Sequence, residues 1–154
     1  MNEPHDSFSR TYQVEWQDID FNGHMRNTAY FERASHLRVC FLSEHGFSAE
    51  RFAQLRIGPV VFQDTMQYFK ESHLMDSYRV HLQIAALSED ARRFSLLNRF
   101  FNESGEPLAQ LQSDGAWLDL KARKTRVPPE ELADAMKWMP RAESFQWLPA
   151  KQAR

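Results

Sequence analysis

A single cysteine, Cys40, and only five glycines stand among the 154 residues. One thiol can form no intrachain disulfide and supplies no cysteine-rich zinc site, which suits a reducing compartment and makes the cytoplasm the expected location. Basic charge is not in excess either. With 19 Lys and Arg against 21 Asp and Glu, the net charge is −2 and the isoelectric point is near 6.3, so the cationic footprint of a nucleic-acid binder is missing. No apolar run reaches the roughly 18 residues of a membrane span. Met1 to Arg10 is polar and charged where a signal peptide carries an apolar stretch, so neither export nor membrane insertion is expected. The 6 histidines (His5, His24, His36, His45, His73, His81) show no H-x-H or H-E-x-x-H spacing, and no metal site is expected.

What is present is a composition that folds. Apolar residues make up 42 % of the chain, including 12 Phe, 4 Trp and 4 Tyr, and aromatics bury large areas each. One domain is expected at this length. A polar tail over residues 1–9 precedes a body over 10–126. Residues 127–154 form a proline-punctuated extension with Pro128, Pro129, Pro140 and Pro149. Thr11 to Trp16 alternates, with Tyr12, Val14 and Trp16 on one parity, as a half-buried strand does. After a polar turn, Tyr30, Ala34, Leu37 and Phe41, with Phe31 and Leu42 beside them, recur at helical spacing. Asn27 or Thr28 would cap that helix, and Gly46 would end it. Strand parities then follow: Val60, Phe62, Met66 and Tyr68; Val80, Leu82 and Ile84; Phe94, Leu96 and Phe100; and Leu108 through Leu118. Asn102 to Glu106 carries hairpin chemistry. A last short helix is predicted from Pro129 to Trp138, with proline in its first turn. The fold class is therefore α+β, a long helix laid on an antiparallel sheet of five to six strands. The open sheet edge invites pairing with a second copy.

Chemistry-bearing side chains concentrate in one short stretch, Asp18, Asp20, Asn22, His24 and Asn27, between the first strand and the helix. A helix N-terminus offers unpaired N–H groups and partial positive charge, which can hold an oxyanion. A carboxylate beside it can activate water or attack an activated ester directly. Asp, Asn and Gly are also ordinary turn and capping residues, so a purely structural role is the alternative.

The segment Val14-Glu15-Trp16-Gln17-Asp18-Ile19-Asp20-Phe21-Asn22-Gly23-His24-Met25-Arg26-Asn27-Thr28-Ala29-Tyr30 resembles the signature of the 4-hydroxybenzoyl-CoA thioesterase-like branch of hotdog-fold acyl thioesterases. There a D-x-D ends the first strand and an aromatic residue begins the helix ten positions after the second Asp, as Asp20 and Tyr30 do here. The same segment is similar to the D-x-N-x-H-x-x-N motif of acyl-ACP thioesterases, matched by Asp20, Asn22, His24 and Asn27. Some bacterial relatives carry a histidine seven positions after the Asp, where this chain has Asn27. The resemblance is specific from Val14 to Phe41 and looser, through Gly58-Pro59-Val60-Val61 and Asp76, to about Leu120.

It implies a single hotdog domain and a thioester hydrolase with Asp20 as base or nucleophile. It further implies Asn22 and His24 holding the carboxylate or water, and the N–H near Asn27 facing the thioester oxygen. Tyr30 is expected at the substrate. No cofactor is implied, since coenzyme A enters as part of the substrate. The partners implied are acyl-CoA or acyl-ACP and a second or further copies of the chain, as a homodimer or homotetramer. A hydroxyacyl-thioester dehydratase and a non-catalytic acyl-CoA-binding protein are the competing functions on the same fold.

Asp64 interrupts the apolar parity of its strand, and a core-facing charge is costly unless paired or functional. It is a candidate to orient water or substrate from the partner chain, unless a bulge turns it to solvent. Cys40 is expected to pack. Lys121, Arg123, Lys124 and Arg126, with Arg92 and Arg93, could meet coenzyme A phosphates or form a solvated surface.

Overall fold

The computed structural model describes residues 1–149, so the end of the expected extension, residues 150–154, lies outside the description. In chain order the elements are β1 (Phe8–Gln13), a 3-10 turn (Trp16–Asp18), α1 (Asn27–Glu44), α2 (Ala49–Leu55) and β2 (Ile57–Tyr68). They continue with β3 (Ser77–Ser88), β4 (Arg93–Asn102), β5 (Pro107–Asp119), β6 (Lys124–Thr125), α3 (Glu130–Trp138) and β7 (Arg141–Leu148). The sheet runs β1-β3-β4-β5-β2, with β6 added to β5 and β7 to β3. All neighbours are antiparallel except β7 on β3.

α1 is the expected helix. Ala29, Tyr30, Ala34, Leu37 and Phe41 are buried in one cluster with Val80, Leu82 and Ile84 of β3, Leu96 and Phe100 of β4, and Leu111 and Trp117 of β5. Burying a side chain such as Leu37 or Phe41 contributes about 1.5–3 kcal/mol. Gly46 takes a φ of +90° just past the helix end, as its position predicted. The N-cap, in contrast, is Arg26, with no side-chain hydrogen bond; Asn27 is the first helical residue and its Oδ1 accepts from Thr28 N at 2.9 Å.

Strand positions shift where turn chemistry outweighs alternation. β1 ends at Gln13, three residues earlier than expected, and Trp16 is 80 % exposed at the start of the 3-10 turn. Asp18 draws the chain out of the sheet there: its Oδ2 accepts from Glu15 N at 2.9 Å, while Glu15 O accepts from Asp18 N at 2.9 Å. In β2 a bulge between Val61 and Gln63 shifts the register. Phe62, at the bulge, is exposed although it was expected on the core face, whereas Met66 packs against the core and the half-exposed Tyr68 lies against the buried Tyr30. At Gly115 of β5 an added Cβ would lie 2.3 Å from Val60 O, so only glycine permits this approach of β5 to β2.

The sheet has seven strands where five to six were expected. β1 pairs with β3 only from Ser77 to Leu82, and β7 takes up the same edge from Ile84 to Ser88. The chain reaches that edge through α3, a crossover long enough to permit a parallel neighbour. Residues expected as a polar tail are held to the sheet as well. Arg79 donates to both carboxylate oxygens of Glu3, His81 Nε2 lies 2.8 Å from Glu3 Oε2, and Ser7 Oγ lies 2.6 Å from His81 Nδ1. α2 was not anticipated, although Ser48 caps it by accepting from Arg51 N at 3.2 Å. Among the described residues no helix is long and apolar enough to cross a membrane.

Candidate active site

Beyond β1 the chain is anchored by Val14, which is fully buried and exchanges backbone hydrogen bonds with Met75 and Asp76. It then winds through Asp18 and Asp20 to α1. Two short bridges, Ile19 with Met25 and His24 with His73, close this excursion into a compact loop ahead of the helix.

The two aspartates of the D-x-D have opposite surroundings. Asp18 is 1 % exposed; besides capping Glu15 N, its carboxylate faces the Arg33 guanidinium at 3.5 Å. Arg33 also donates to Tyr78 Oη at 3.1 Å, and burial pushes the Tyr78 phenol up to about 12. Through Oδ2, Asp18 thus holds the loop against the body. Asp20 is exposed. Its Oδ1 accepts from Asn22 N at 2.8 Å and from His24 N at 3.1 Å, and its own N–H donates to His24 O at 2.8 Å. Gly23, with a φ of +74°, makes this tight return possible. Asp20 Oδ2 has no partner among the described residues, so one oxygen is fixed by the backbone and the other is available.

Asp20, His24, Asn27 and Tyr30 line one open cavity of about 370 Å³, together with Tyr68, Lys70 and Glu71. Four of the sequence-predicted residues therefore converge. Asn22, expected to hold the carboxylate or water, meets Asp20 through its main-chain N–H. Asn27 opens α1, and its own N–H has no acceptor among the described residues, a free donor at the positive end of an 18-residue helix. The Tyr30 ring is buried edge-on against Tyr68 and Phe100, with centroids 5.5 and 5.2 Å apart. Burial pushes its phenol above the usual value, opposed by a hydrogen bond with Ser72.

Asp64 is not brought to this cavity. It is exposed on β2, and its Oδ1 accepts from the buried Ser113 Oγ. Ser113 Oγ accepts in turn from Arg38 at 2.7 Å, and the same guanidinium donates to Asn98 Oδ1 at 2.9 Å. Burial lowers Arg38 to about 10, and the Asp64 charge counteracts it. Arg38 sits at the border of a separate apolar cavity of about 210 Å³, lined by Val39, Leu42, Val61, Leu96 and Trp117 among others. The basic run after β5 is solvated, apart from the two-residue pairing of β6.

One grouping escaped the sequence altogether. His24 and His73 face each other across their bridge, with ring centroids 5.1 Å apart, and Glu71 joins them. One donor atom from each of the three lies within 4.8 Å of the others. Spacing rules find ligands on one element, whereas these residues come from two segments that only the bridge brings together.

The sequence model of the thioesterase-like superfamily matches residues 14–136. Among curated proteins no relative matches the chain. Among solved structures, a 1,4-dihydroxy-2-naphthoyl-CoA thioesterase from Synechocystis superposes with a TM-score of 0.77 at 21 % identity, over 86 % of this chain and 96 % of the other. A hypothetical protein from Staphylococcus aureus in complex with CoA does so with a TM-score of 0.77 at 22 % identity, over 99 % of both chains. A probable thioesterase from Escherichia coli matches with a TM-score of 0.73 at 22 % identity, over 86 % of this chain and 98 % of that one. With the helix wrapped by a curled sheet and the family model spanning both, the chain belongs to the thioesterase-like superfamily, as a hotdog-fold thioesterase.

Proposed function

We propose that the protein hydrolyses an acyl-CoA to the free acid and coenzyme A, with Asp20 as the reacting carboxylate. The observation that carries this reading is the state of Asp20: Oδ1 fixed by two backbone N–H groups, Oδ2 free, at a cavity that also holds the first residue of α1. The thioester carbonyl oxygen would accept from Asn27 N–H, so that charge developing there meets the positive end of α1. Asp20 Oδ2 takes a proton from water as the oxygen attacks the carbonyl carbon, or attacks that carbon itself to give a mixed anhydride that water then hydrolyses, restoring the carboxylate; both routes use the same atom, break the C–S bond with coenzyme A leaving as thiolate, and release the free acid. His24 fixes Asp20 through its N–H and turns its imidazole toward the same cavity.

CoA as the thiol carrier is supported by the solved neighbours whose names include it. α1 contributes Asn27 and Tyr30 to the cavity but no histidine or carboxylate, which disfavours the dehydratase alternative.

We further infer a homodimer in which β2 edges pair. Among the described residues β2 pairs with β5 alone; it is 12 residues long and exposes Val61, Phe62 and Tyr68. The apolar cavity flanked by β2 would receive the acyl group of a site completed by the second copy. A reducing cytoplasm suits the single cysteine.

The test is thiol release from short, medium, long and aromatic acyl-CoA esters, with the same acyl groups on acyl carrier protein alongside. Turnover of a CoA ester supports the reading and gives the acyl class. Turnover on acyl carrier protein alone would move the carrier assignment, and no turnover of either would bring forward the acyl-CoA-binding alternative.

A further inference from the structure

Beside Asp20, His24, Glu71 and His73 bring one donor atom from each of two imidazoles and a carboxylate within 4.8 Å of one another. The backbone sets this up. His24 and His73 are opposite partners in an antiparallel bridge, and Glu71, two residues before His73, projects to the same side of its segment. Met25 N donates to Ser72 O at 2.8 Å, tying the two segments together between the ligands. Asp76 supplies an outer contact. Its Oδ2 accepts from His73 N at 2.9 Å and lies 3.8 Å from His73 Nδ1, positioned to hold that nitrogen and leave Nε2 for a metal.

We propose that His24, Glu71 and His73 form a binding site for a divalent first-row transition-metal ion of the zinc type, at the mouth of the candidate active site, and that its occupancy inhibits hydrolysis. Two neutral imidazoles and one carboxylate are the donor set that favours such ions over magnesium or calcium, and three protein ligands leave a position open for water. A separation of at most 4.8 Å needs only small side-chain rotations to reach the distances of a tetrahedral site, because Glu71 and His73 are exposed. Inhibition follows from the turn that His24 shares with Asp20: His24 N–H holds Asp20 Oδ1, and both residues line the same cavity with Glu71. An ion there fixes that turn, adds a double positive charge beside the reacting carboxylate, and narrows the entrance.

Metal binding stands apart from the proposed activity, whereas the inhibitory effect rests on it, and two measurements separate them. In tag-free protein, titration calorimetry with zinc and the visible absorption of bound cobalt should show one site per chain. Glu71→Gln and His73→Ala should each weaken zinc by at least about tenfold, and Asp76→Asn by roughly tenfold, as an outer partner of a ligand does. Wild type that takes up no zinc, or variants that bind as tightly as wild type, would overturn the site whatever the enzyme's activity. Thiol release should fall in wild type as zinc is added and recover with chelator, while His73→Ala keeps its metal-free rate in the same zinc. Stoichiometric zinc with undiminished turnover would overturn the inhibitory role.

Discussion

Asp18 and Asp20 are two residues apart in one turn and share a side-chain chemistry, yet the fold gives them opposite tasks. Asp18 is buried, and its Oδ2 both caps the Glu15 N–H and faces Arg33, which fixes the loop. Asp20 is exposed, is fixed by backbone donors at one oxygen, and keeps the other free. Access separates the two: burial against a guanidinium keeps Asp18 in a holding role, whereas exposure at a cavity leaves the second oxygen of Asp20 open to a substrate.

Substitution can break that contrast from either side. Asp20→Asn should remove the reacting group while leaving the fold, lowering thiol release by roughly 10²- to 10⁴-fold, the usual worth of a positioned acid or base; thermal unfolding measured in parallel should be unchanged. Asp18→Asn should do the reverse. Losing a hydrogen bond to a charged group at a buried position costs about 1.5–3 kcal/mol, read from denaturant unfolding, while turnover per folded molecule stays within a few-fold.

Glu3 provides a third carboxylate for comparison, cation-held like Asp18 but at the N-terminus. Hydrogen bonding from Arg79 lowers it to about 2 from its ordinary 4.5, with His81 adding to the effect. A depressed folded value means that its stabilisation is present above pH 4.5 and is lost as pH falls through that value toward 2. His81, lowered by burial, acts in a higher window: its folded value lies below 6.5, so stability begins to fall as pH drops below 6.5. Melting temperatures across pH 3 to 8 should show both losses, and Glu3→Gln should flatten the lower one. The smallest effect is expected for Asn22→Ala, because the backbone N–H of Asn22 does the holding; turnover should stay within about threefold.

Much of this was legible in the sequence, for identifiable reasons. The α1 stripe from Tyr30 to Phe41 was readable because burial of one helical face is a local, periodic signal. The Asp20 turn was readable from its residue types and from the family resemblance, and the structure does bring Asp20, His24, Asn27 and Tyr30 to one cavity. The place of Phe62 in β2 was misread because a bulge at Val61 leaves no mark in alternation. β7 was missed because its pairing depends on β3 being longer than β1, a property of the assembled sheet. The role of Asp18 and the approach of His73 to His24 were invisible for the same reason: their partners, Arg33 and the 71–73 segment, are supplied by folding and not by spacing.

The most direct test of the central claim sets the two aspartates side by side: thiol release by Asp18→Asn and Asp20→Asn, each normalised to folded protein, on the best acyl-CoA ester. The expected result is an Asp18 variant within a few-fold of wild type and an Asp20 variant down by at least about 100-fold. Equal losses, or a larger loss at Asp18, would contradict the assignment of the free carboxylate to the chemistry.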